Sequence, residues 1–367
     1  MRDLSPPHIL HFDLDAMFAA VEVLLDPSLA GKPVIVGASP GTRGVVSTCS
    51  YEARAYGVHS AMPIGEAYAR CPQAAFLPVR HSIYRQYSQR VLEVVTTYAD
   101  RVQPISIDEA FVDLSSAEDP TALAREIKDK IRTVVGLVAS VGLASNKLVA
   151  KVATDRGKPD GFVVVPHGEE AAFLAPLTVD KLWGVGPKTG RRLEAAGIRT
   201  IGELAAADPT VLIPIAGRHY VRKLLEHARG IDESPVEVDR GIKSISDETT
   251  FQRDEGDRRA LWGVLRDQAS TCSRRLREHG MVARTVTVKM RYADFRTVTR
   301  SLSLGVPTDE LEPLAEAAAA LMRQWWAPRP EPLRLLGLRV SRLEPTPGLR
   351  QLPLMSEGLN YNTPPLS

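Results

Sequence analysis

Apolar and polar positions alternate over residues 9–15, so Phe12 and Leu14 face one way while Asp13 and Asp15 face the other, and the period predicts a strand. Met17, Ala20, Val21 and Leu24 then recur at helical spacing over 16–25. A short strand at 33–36, a Gly/Pro-rich turn at 37–44, a strand at 45–48 and small helices at 51–56 and 64–70 read as a small mixed subdomain. From residue 78 the pattern changes to a long helix (82–99), a strand pair around 102–114 and an amphipathic helix at 121–135. Strands at 138–142 and 162–165 then surround a helix at 146–155. Strands alternating with helices argue a compact α/β domain.

After Pro166 the pattern is helical with short loops: 169–174, 179–182, 188–195, 201–206, 211–215 and 218–228. This reads as a small all-α unit. Residues 234–243 are polar, have no apolar period and read as a linker. Beyond them a β-α-β-β-α-β order, with Leu261, Leu265, Cys272 and Leu276 on one helix face, specifies a second α/β sandwich. Residues 345–367 carry five Pro and little periodicity, as a tail does.

A chain of 367 residues is too long for one ordinary core, so two or more domains are expected, and the 25% charged fraction is that of a soluble globular protein. Cys49, Cys71 and Cys272 are far apart and form no C-x-x-C pair, which points to neither a disulfide framework nor a zinc site. No secretion signal or apolar span is visible, and the expected location is the cytoplasm. The formal net charge of +2 hides an uneven distribution. Residues 241–345 hold 18 Lys and Arg against 14 Asp and Glu, a net of +4, which leaves −2 for the other 262 residues. In the strand over 284–292, Val286, Val288 and Met290 share one face, and Thr285, Thr287, Lys289 and Arg291 the other; Arg339 and Ser341 likewise stand opposite Leu338 and Val340. A sheet with one apolar face and one face of Lys, Arg and Thr is suited to tracking phosphates.

Two acids leaving a buried strand, Asp13 and Asp15, are matched by a second acidic segment read as a strand, Ser106-Ile107-Asp108-Glu109-Ala110-Phe111. Burying like charges is prohibitive unless a cation compensates them. Either segment alone also fits a solvated strand end or turn. Together in one α/β unit they fit a hard-cation site, and two such ions clamp the attacking and leaving oxygens of a phosphoryl displacement. Tyr51 and Arg54 lie one turn apart on a short helix and can reach one ligand. Lys158, in the turn Arg156-Gly157-Lys158-Pro159-Asp160-Gly161, can meet phosphate oxygens as a point charge.

The runs Asp13-Leu14-Asp15-Ala16-Met17-Phe18-Ala19-Ala20-Val21-Glu22, Gly31-Lys32-Pro33-Val34, Ser50-Tyr51-Glu52-Ala53-Arg54, Ser106-Ile107-Asp108-Glu109-Ala110-Phe111, Ser145-Asn146-Lys147 and Gly157-Lys158-Pro159-Asp160-Gly161 resemble the Y-family translesion DNA polymerases, in particular the DinB class. They follow the family's order across about residues 8–343. The resemblance implies an α/β (α+β) multidomain right-hand polymerase. It divides the chain into a ferredoxin-like palm at 1–18 and 78–166, small fingers at 19–77, an all-α helix-hairpin-helix thumb at 167–233, a linker at 234–243, a β-α-β-β-α-β little finger at 244–344 and a tail at 345–367.

By the same resemblance Asp13, Asp108 and Glu109 are the metal-ligating triad for two Mg²⁺ ions, with the Leu14 carbonyl as a further ligand. Asp15 is not a ligand, so the strand-face reasoning overcounts by one. Tyr51, Arg54 and Lys158 match triphosphate contacts, Thr48 packs over the incoming base, and the backbone amides of Ala16 and Met17 add donors. Phe18 matches the steric gate, a ring under the sugar that leaves no room for a 2′-hydroxyl. Gly184 and Gly186 form the turn before Lys188 in a thumb that grips a DNA backbone through turn amides. Lys289, Arg291 and Arg339 lie on the DNA-facing sheet. Gln351, Leu352, Leu354 and Met355 resemble the peptide that binds the sliding β clamp, with Met355 where an aromatic residue is usual.

The implied activity is low-fidelity, template-directed transfer of dNTPs to a primer 3′ end by a DNA-directed DNA polymerase, a nucleotidyltransferase of DNA repair and translesion synthesis. No nuclease domain is left over for proofreading, and the expected enzyme is a monomer without membrane contact. A non-catalytic DNA- and clamp-binding accessory protein on the same scaffold is the alternative, against which the intact Asp13, Asp108 and Glu109 speak. A nucleotidyl cyclase is a second, which would not need the helix-hairpin-helix or the basic sheet.

Overall fold

The computed structural model describes residues 7–238, 241–327 and 330–346, and the chain divides at residue 240 into two compact units. In the first unit, β1 (Ile9–Leu14) runs into α1 (Met17–Leu25), as the switch from period two to helical spacing requires. A three-stranded sheet follows, in the order β3 (Val46–Cys49), β2 (Val34–Gly37), β4 (Ala75–Pro78), with α2 (Tyr51–Arg54) and α3 (Ile64–Arg70) inserted between β3 and β4. Its own core contains Ile35, Val46, Cys49, Met62 and Ile64. Strand β4 is an addition to the sequence reading. Four residues, Ala75-Phe76-Leu77-Pro78, become a strand only because β2 offers a parallel edge to them.

The larger sheet has the order β5 (Val102–Pro104), β6 (Glu109–Asp113), β1, β7 (Ala139–Ala144), β8 (Phe162–Val164). Central β1 pairs antiparallel with both β6 and β7. Leu10, Phe12 and Leu14 face one core, which α4 (His81–Thr96) and α5 (Pro120–Lys130) complete with Tyr84, Val91, Val95, Ala124 and Ile127. The opposite face belongs to α6 (Lys147–Gly157), where Leu148, Val149 and Val152 pack with Ile9 and Phe111. Because both faces are covered, Asp13 of β1 stands beside buried side chains, and His11 is fully buried.

Three expectations need correction. The chain over 131–135 continues α5 as a π-helical turn, closed by left-handed Gly136, instead of as α-helix. Residues 105–108 form a bend, so Asp108 stands on a turn and only Glu109 opens the strand. The segment 234–243 is not free of apolar anchoring: Val236 is buried, the Pro235 carbonyl accepts from Lys147 Nζ at 2.7 Å, and the Glu237 N–H donates to Gln103 Oε1 at 2.9 Å. One buried valine in a polar decapeptide gives no period to detect.

Five helices complete the first unit: α7 (Glu170–Leu174), α8 (Pro187–Ala195), α9 (Ile201–Ala206), α10 (Pro209–Ala216) and α11 (Arg218–Ala228). Helix α9 opens with a capping box between Thr200 and Glu203, which satisfies two otherwise orphaned amides. Gly184, in the turn before α8, has φ of 98°, and a Cβ there would sit 2.7 Å from the Tyr220 hydroxyl, so only glycine fits.

The second unit has the order β9 (Ser244–Glu255), α12 (Arg258–Glu278), β10 (Met281–Tyr292), β11 (Thr297–Thr308), α13 (Leu311–Trp325), β12 (Leu333–Pro345). Its antiparallel sheet runs β11-β10-β12-β9. Val286, Val288 and Met290 are buried with Leu338 and Val340 against Leu261, Leu265 and Leu276 of α12 and Leu314, Ala318 and Met322 of α13. The opposite face carries the polar alternation.

Candidate active site

Asp13 and Glu109 are register partners across the β1–β6 ladder. Asp108 precedes them on the bend, and its carbonyl accepts the Leu14 N–H at 2.9 Å. Two acidic segments 95 residues apart in sequence are thus joined by backbone hydrogen bonds, which makes Asp13, Leu14, Asp108 and Glu109 neighbours. The Asp108 carboxylate accepts from the Ser106 hydroxyl. Asp13 Oδ2 lies 2.6 Å from Lys158 Nζ; Glu109 Oε2 lies 2.5 Å from Lys151 Nζ and 3.4 Å from His11 Nε2.

These environments push the two carboxyls apart. Burial drives Asp13 up to about 6; Lys158 opposes this, and the charges of Asp108 and Glu109 add to it. Burial acts in the same direction on Glu109, but the His11 ring and the Lys151 ammonium outweigh it and hold that carboxyl at about 2. His11 itself is lowered by burial, so the ring is neutral at pH 7. Among the described residues no group of three or more His, Cys, Asp and Glu side chains is gathered in metal-binding geometry. Asp13 and Glu109 each turn to a lysine.

Around this acidic centre lie the other expected residues of the first unit. Ala16 adopts left-handed φ of 47° and starts α1 without a side-chain cap, which leaves the first-turn amides to other partners. The Phe18 ring stacks on Tyr84 at 4.1 Å and 15°. Tyr84 is fully buried and donates to Glu22 Oε1 at 2.5 Å, and Glu22 also pairs with Arg80. The Phe18 ring therefore leans on a buried, hydrogen-bonded neighbour. Ser50 caps α2 through the Ala53 N–H, and the Arg54 guanidinium lies 4.5 Å over the Tyr51 ring, so the two side chains share a face as their spacing requires. Thr48 lies half-buried on β3 opposite Val36. Lys158 reaches Asp13 from a turn in which a Cβ on Gly161 would meet the Gly157 carbonyl at 2.1 Å.

The remaining expected residues lie elsewhere. Gly184, Gly186 and Lys188 form the turn and start of α8, with Gly186 at its N-cap. In the second unit Lys289, Arg291 and Arg339 share the polar sheet face, but Lys289 donates to both Glu248 oxygens, at 2.9 and 2.7 Å. The sequence reading treats that lysine as available charge; β9, pairing with β12, brings a carboxylate to it. Gln351, Leu352, Leu354 and Met355 lie outside the described residues.

Sequence reasoning missed His11, Lys151, Glu22 and Tyr84, whose partners lie up to 143 residues away. Only the histidine on a strand that feeds two acids gave a local signal. The Ser145-Asn146-Lys147 run is structural: Asn146 caps α6 through the Val149 N–H, and Lys147 is buried under residue 235.

Comparison with known proteins shows the family. A family model described as the impB/mucB/samB family matches residues 12–155, its C-terminal domain model matches 242–354, and the IMS family HHH motif matches 167–198. The chain is 47% identical over 343 residues to a DNA polymerase IV of Methanoculleus marisnigri, covering 92% of this chain and 94% of that one. It is 45% identical to a DNA polymerase IV of Streptomyces coelicolor, covering 92% of this chain and 71% of the relative. Among solved structures, a Y-family DNA polymerase chimera of Dbh and Dpo4 superposes with a TM-score of 0.84 at 28% identity, over 91% of this chain and 98% of that one. An insertion ternary complex of Dbh DNA polymerase gives 0.67 at 28% identity, over the same shares.

Proposed function

The chain belongs to the impB/mucB/samB family, the Y-family translesion DNA polymerases, and from that premise we propose that Asp13, Asp108 and Glu109 carry its nucleotidyl transfer. It is a DNA-directed DNA polymerase that binds DNA and nucleotide and works with divalent metal ions. The observation that carries the assignment of residues is the register pairing of Asp13 with Glu109, with Asp108 tied to Leu14 beside them. Three carboxylates and a carbonyl at adjoining strand ends are hard oxygen donors, and the buried Asp13, whose ionised form is disfavoured, gains from a cation. They fit magnesium, held as two ions. When bound, these would supply charge neutralisation and Lewis acidity for the in-line displacement of pyrophosphate by a primer 3′-hydroxyl.

The side chains around the acids do the rest. Lys158 exchanges Asp13 for a phosphate oxygen, Tyr51 and Arg54 add a hydroxyl and a fork of donors, and the Ala16 and Met17 amides meet the phosphates at the start of α1. Phe18 selects deoxyribose by overlap, and Thr48 packs over the base. We assign residues 1–18 and 78–166 to the palm, 19–77 to the fingers, 167–233 to the thumb and 244–344 to the little finger. Gly184, Gly186 and Lys188 would grip the DNA backbone, with Arg291 and Arg339 on the second unit's polar face. The chain is taken as a cytoplasmic monomer; no helix among the described residues is long and apolar enough to cross a membrane. Primer extension on undamaged and minor-groove-adducted templates tests the reading. Extension on both is expected, and failure to extend even the undamaged primer would overturn it.

A pH dependence follows from the two shifted carboxyls. Glu109 stays ionised throughout the assay range, whereas Asp13 takes up a proton as pH falls through about 6, and the proton competes with the cation. Below that pH the magnesium concentration for half-maximal extension rises by about tenfold per pH unit, one proton being displaced per loaded site. A magnesium titration at pH 7.5 and at pH 5.0 checks this; equal half-saturation at both would contradict it. The tail carries a separate expectation. Deleting 350–355 abolishes stimulation by the sliding clamp and spares unstimulated synthesis, as measured by extension with and without the clamp loaded on DNA. Loss of both would contradict a clamp-binding role.

A further inference from the structure

Asp15 has no part in the metal site proposed above, yet it is only 7% exposed and three separate segments converge on it. Tyr51 Oη donates to Oδ1 at 3.2 Å, Ser140 Oγ lies 3.0 Å from both oxygens, and the Asp160 N–H donates to Oδ2 at 2.6 Å. Ser140 Oγ in turn accepts the Gly161 N–H at 3.2 Å. A carboxylate suits this place because it only accepts, and two oxygens offer about four lone-pair sites to converging donors. Burying it is tolerable because its oxygens are satisfied.

What hangs on these bonds is the nucleotide end of the site. Asp160 and Gly161 belong to the turn that carries Lys158, and Tyr51 carries the phenol. On the far side the turn is held by Lys128, whose Nζ lies 2.6 Å from Asp160 Oδ1 and 3.2 Å from the Gly161 carbonyl. Behind Asp15, Tyr51 and Asp160 opens a cavity of about 410 Å³ with Ala19, Val23 and Leu29 in its wall, so close packing does not fix these groups on that side. Hydrogen bonds must do it.

The geometry points to Asp15 as a positioning residue for triphosphate binding, a buried acceptor that fixes the Lys158 turn and Tyr51 against the end of β1. This rests on the assignment of Tyr51 and Lys158 as triphosphate contacts. Tyr51 has one hydroxyl proton; when a phosphate oxygen takes it, Asp15 keeps Ser140 and the Asp160 N–H, so the turn stays anchored. Preorganisation of this kind acts on the bound nucleotide before and during reaction alike, so its loss raises KM and leaves kcat.

Single-nucleotide insertion by the full chain on a primer–template tests this. Asp15→Ala is expected to raise the dNTP KM by about tenfold with kcat within about threefold. Asp15→Asn keeps KM near wild type, because its amide oxygen takes the Asp160 N–H while its nitrogen donates to the Tyr51 oxygen. On the Asp15→Ala background, Tyr51→Phe adds less than it does alone, the mark of a coupled pair. An unchanged KM in Asp15→Ala overturns the role. So does an equal fall of kcat in the alanine and asparagine variants, as a metal ligand would show. Single variants Tyr51→Phe and Lys158→Ala read the underlying assignment. If they raise KM and Asp15→Ala does not, the positioning role alone falls; if neither raises it, the triphosphate assignment falls and takes this role with it. Should Asp15→Ala fail to fold by thermal melting, Ser140→Ala carries the test, with a KM rise of about threefold expected from freeing the Gly161 N–H and an unchanged KM overturning the role.

Discussion

Replacing Asp108 by alanine lowers kcat/KM for nucleotide insertion by about ten-thousandfold and leaves primer–template affinity within about twofold. The residue stands half-buried on the bend at 105–108, and its side chain bonds only to the neighbouring Ser106 hydroxyl, so its loss costs the fold little. Its carbonyl bond to the Leu14 N–H is backbone and survives the substitution. What disappears is one of the three carboxylates proposed to hold the cations. The change also removes a like charge that helps to push Asp13 up, so the Asp13 carboxyl ionises more readily in the variant. Rate loss in that variant therefore cannot be blamed on a protonated Asp13. Gel-resolved extension beside a binding titration checks both halves, and insertion within tenfold of wild type would remove Asp108 from the reaction.

Phe18→Ala admits ribonucleotides. The ratio of dNTP to rNTP incorporation falls by roughly a hundredfold or more while dNTP insertion stays within about tenfold of wild type, because the discrimination is built from a clash and not from a bond. The physical basis is the wall behind the ring. Phe18 stacks flat on Tyr84, and Tyr84 is tied to Glu22, itself only 4% exposed and paired with Arg80. A ring free to tilt would let a 2′-hydroxyl past, and the stacking on Tyr84 opposes tilting on that side. Competitive incorporation from mixed nucleotide pools measures the ratio, and an unchanged ratio would move the sugar selection to some other side chain.

Most of the fold was legible along the chain. Helix α3 and helices α9 and α11 fall on the residues their apolar spacing predicts, and the β-α-β-β-α-β order of the second unit follows from its alternation of periods. What escaped were features without a local pattern. Strand β4 has four residues and owes its state to the edge of β2, and Val236 is a lone apolar anchor in a polar stretch. The acidic site divides in the same way. Asp13, Asp15, Asp108 and Glu109 announce themselves because carboxylates beside strand-forming apolar residues are costly, and only the family resemblance sets Asp15 aside. Lys151 gives no signal at all, for its partner Glu109 lies 42 residues earlier and meets it only when α6 packs on the sheet.

Sequence alone therefore determined most of the elements, their order and the chemistry available: hard oxygen donors and basic residues on a Gly/Pro turn. It did so because strand and helix periods and the burial cost of charge are properties of short segments. Tertiary structure decided which partners each of two neighbouring acids meets. Asp13 and Asp15 are two residues apart and period two puts them on one face, yet only Asp13 stands on β1, while Asp15 stands in the turn that follows it. The β6 ladder sets Asp13 against Glu109, while β7 brings Ser140, α2 brings Tyr51 and the Lys158 turn brings the Asp160 amide onto Asp15. A carboxylate's surroundings are fixed by the donors and charges that other elements carry to it, and for Asp15 those arrive from 36 to 145 residues away.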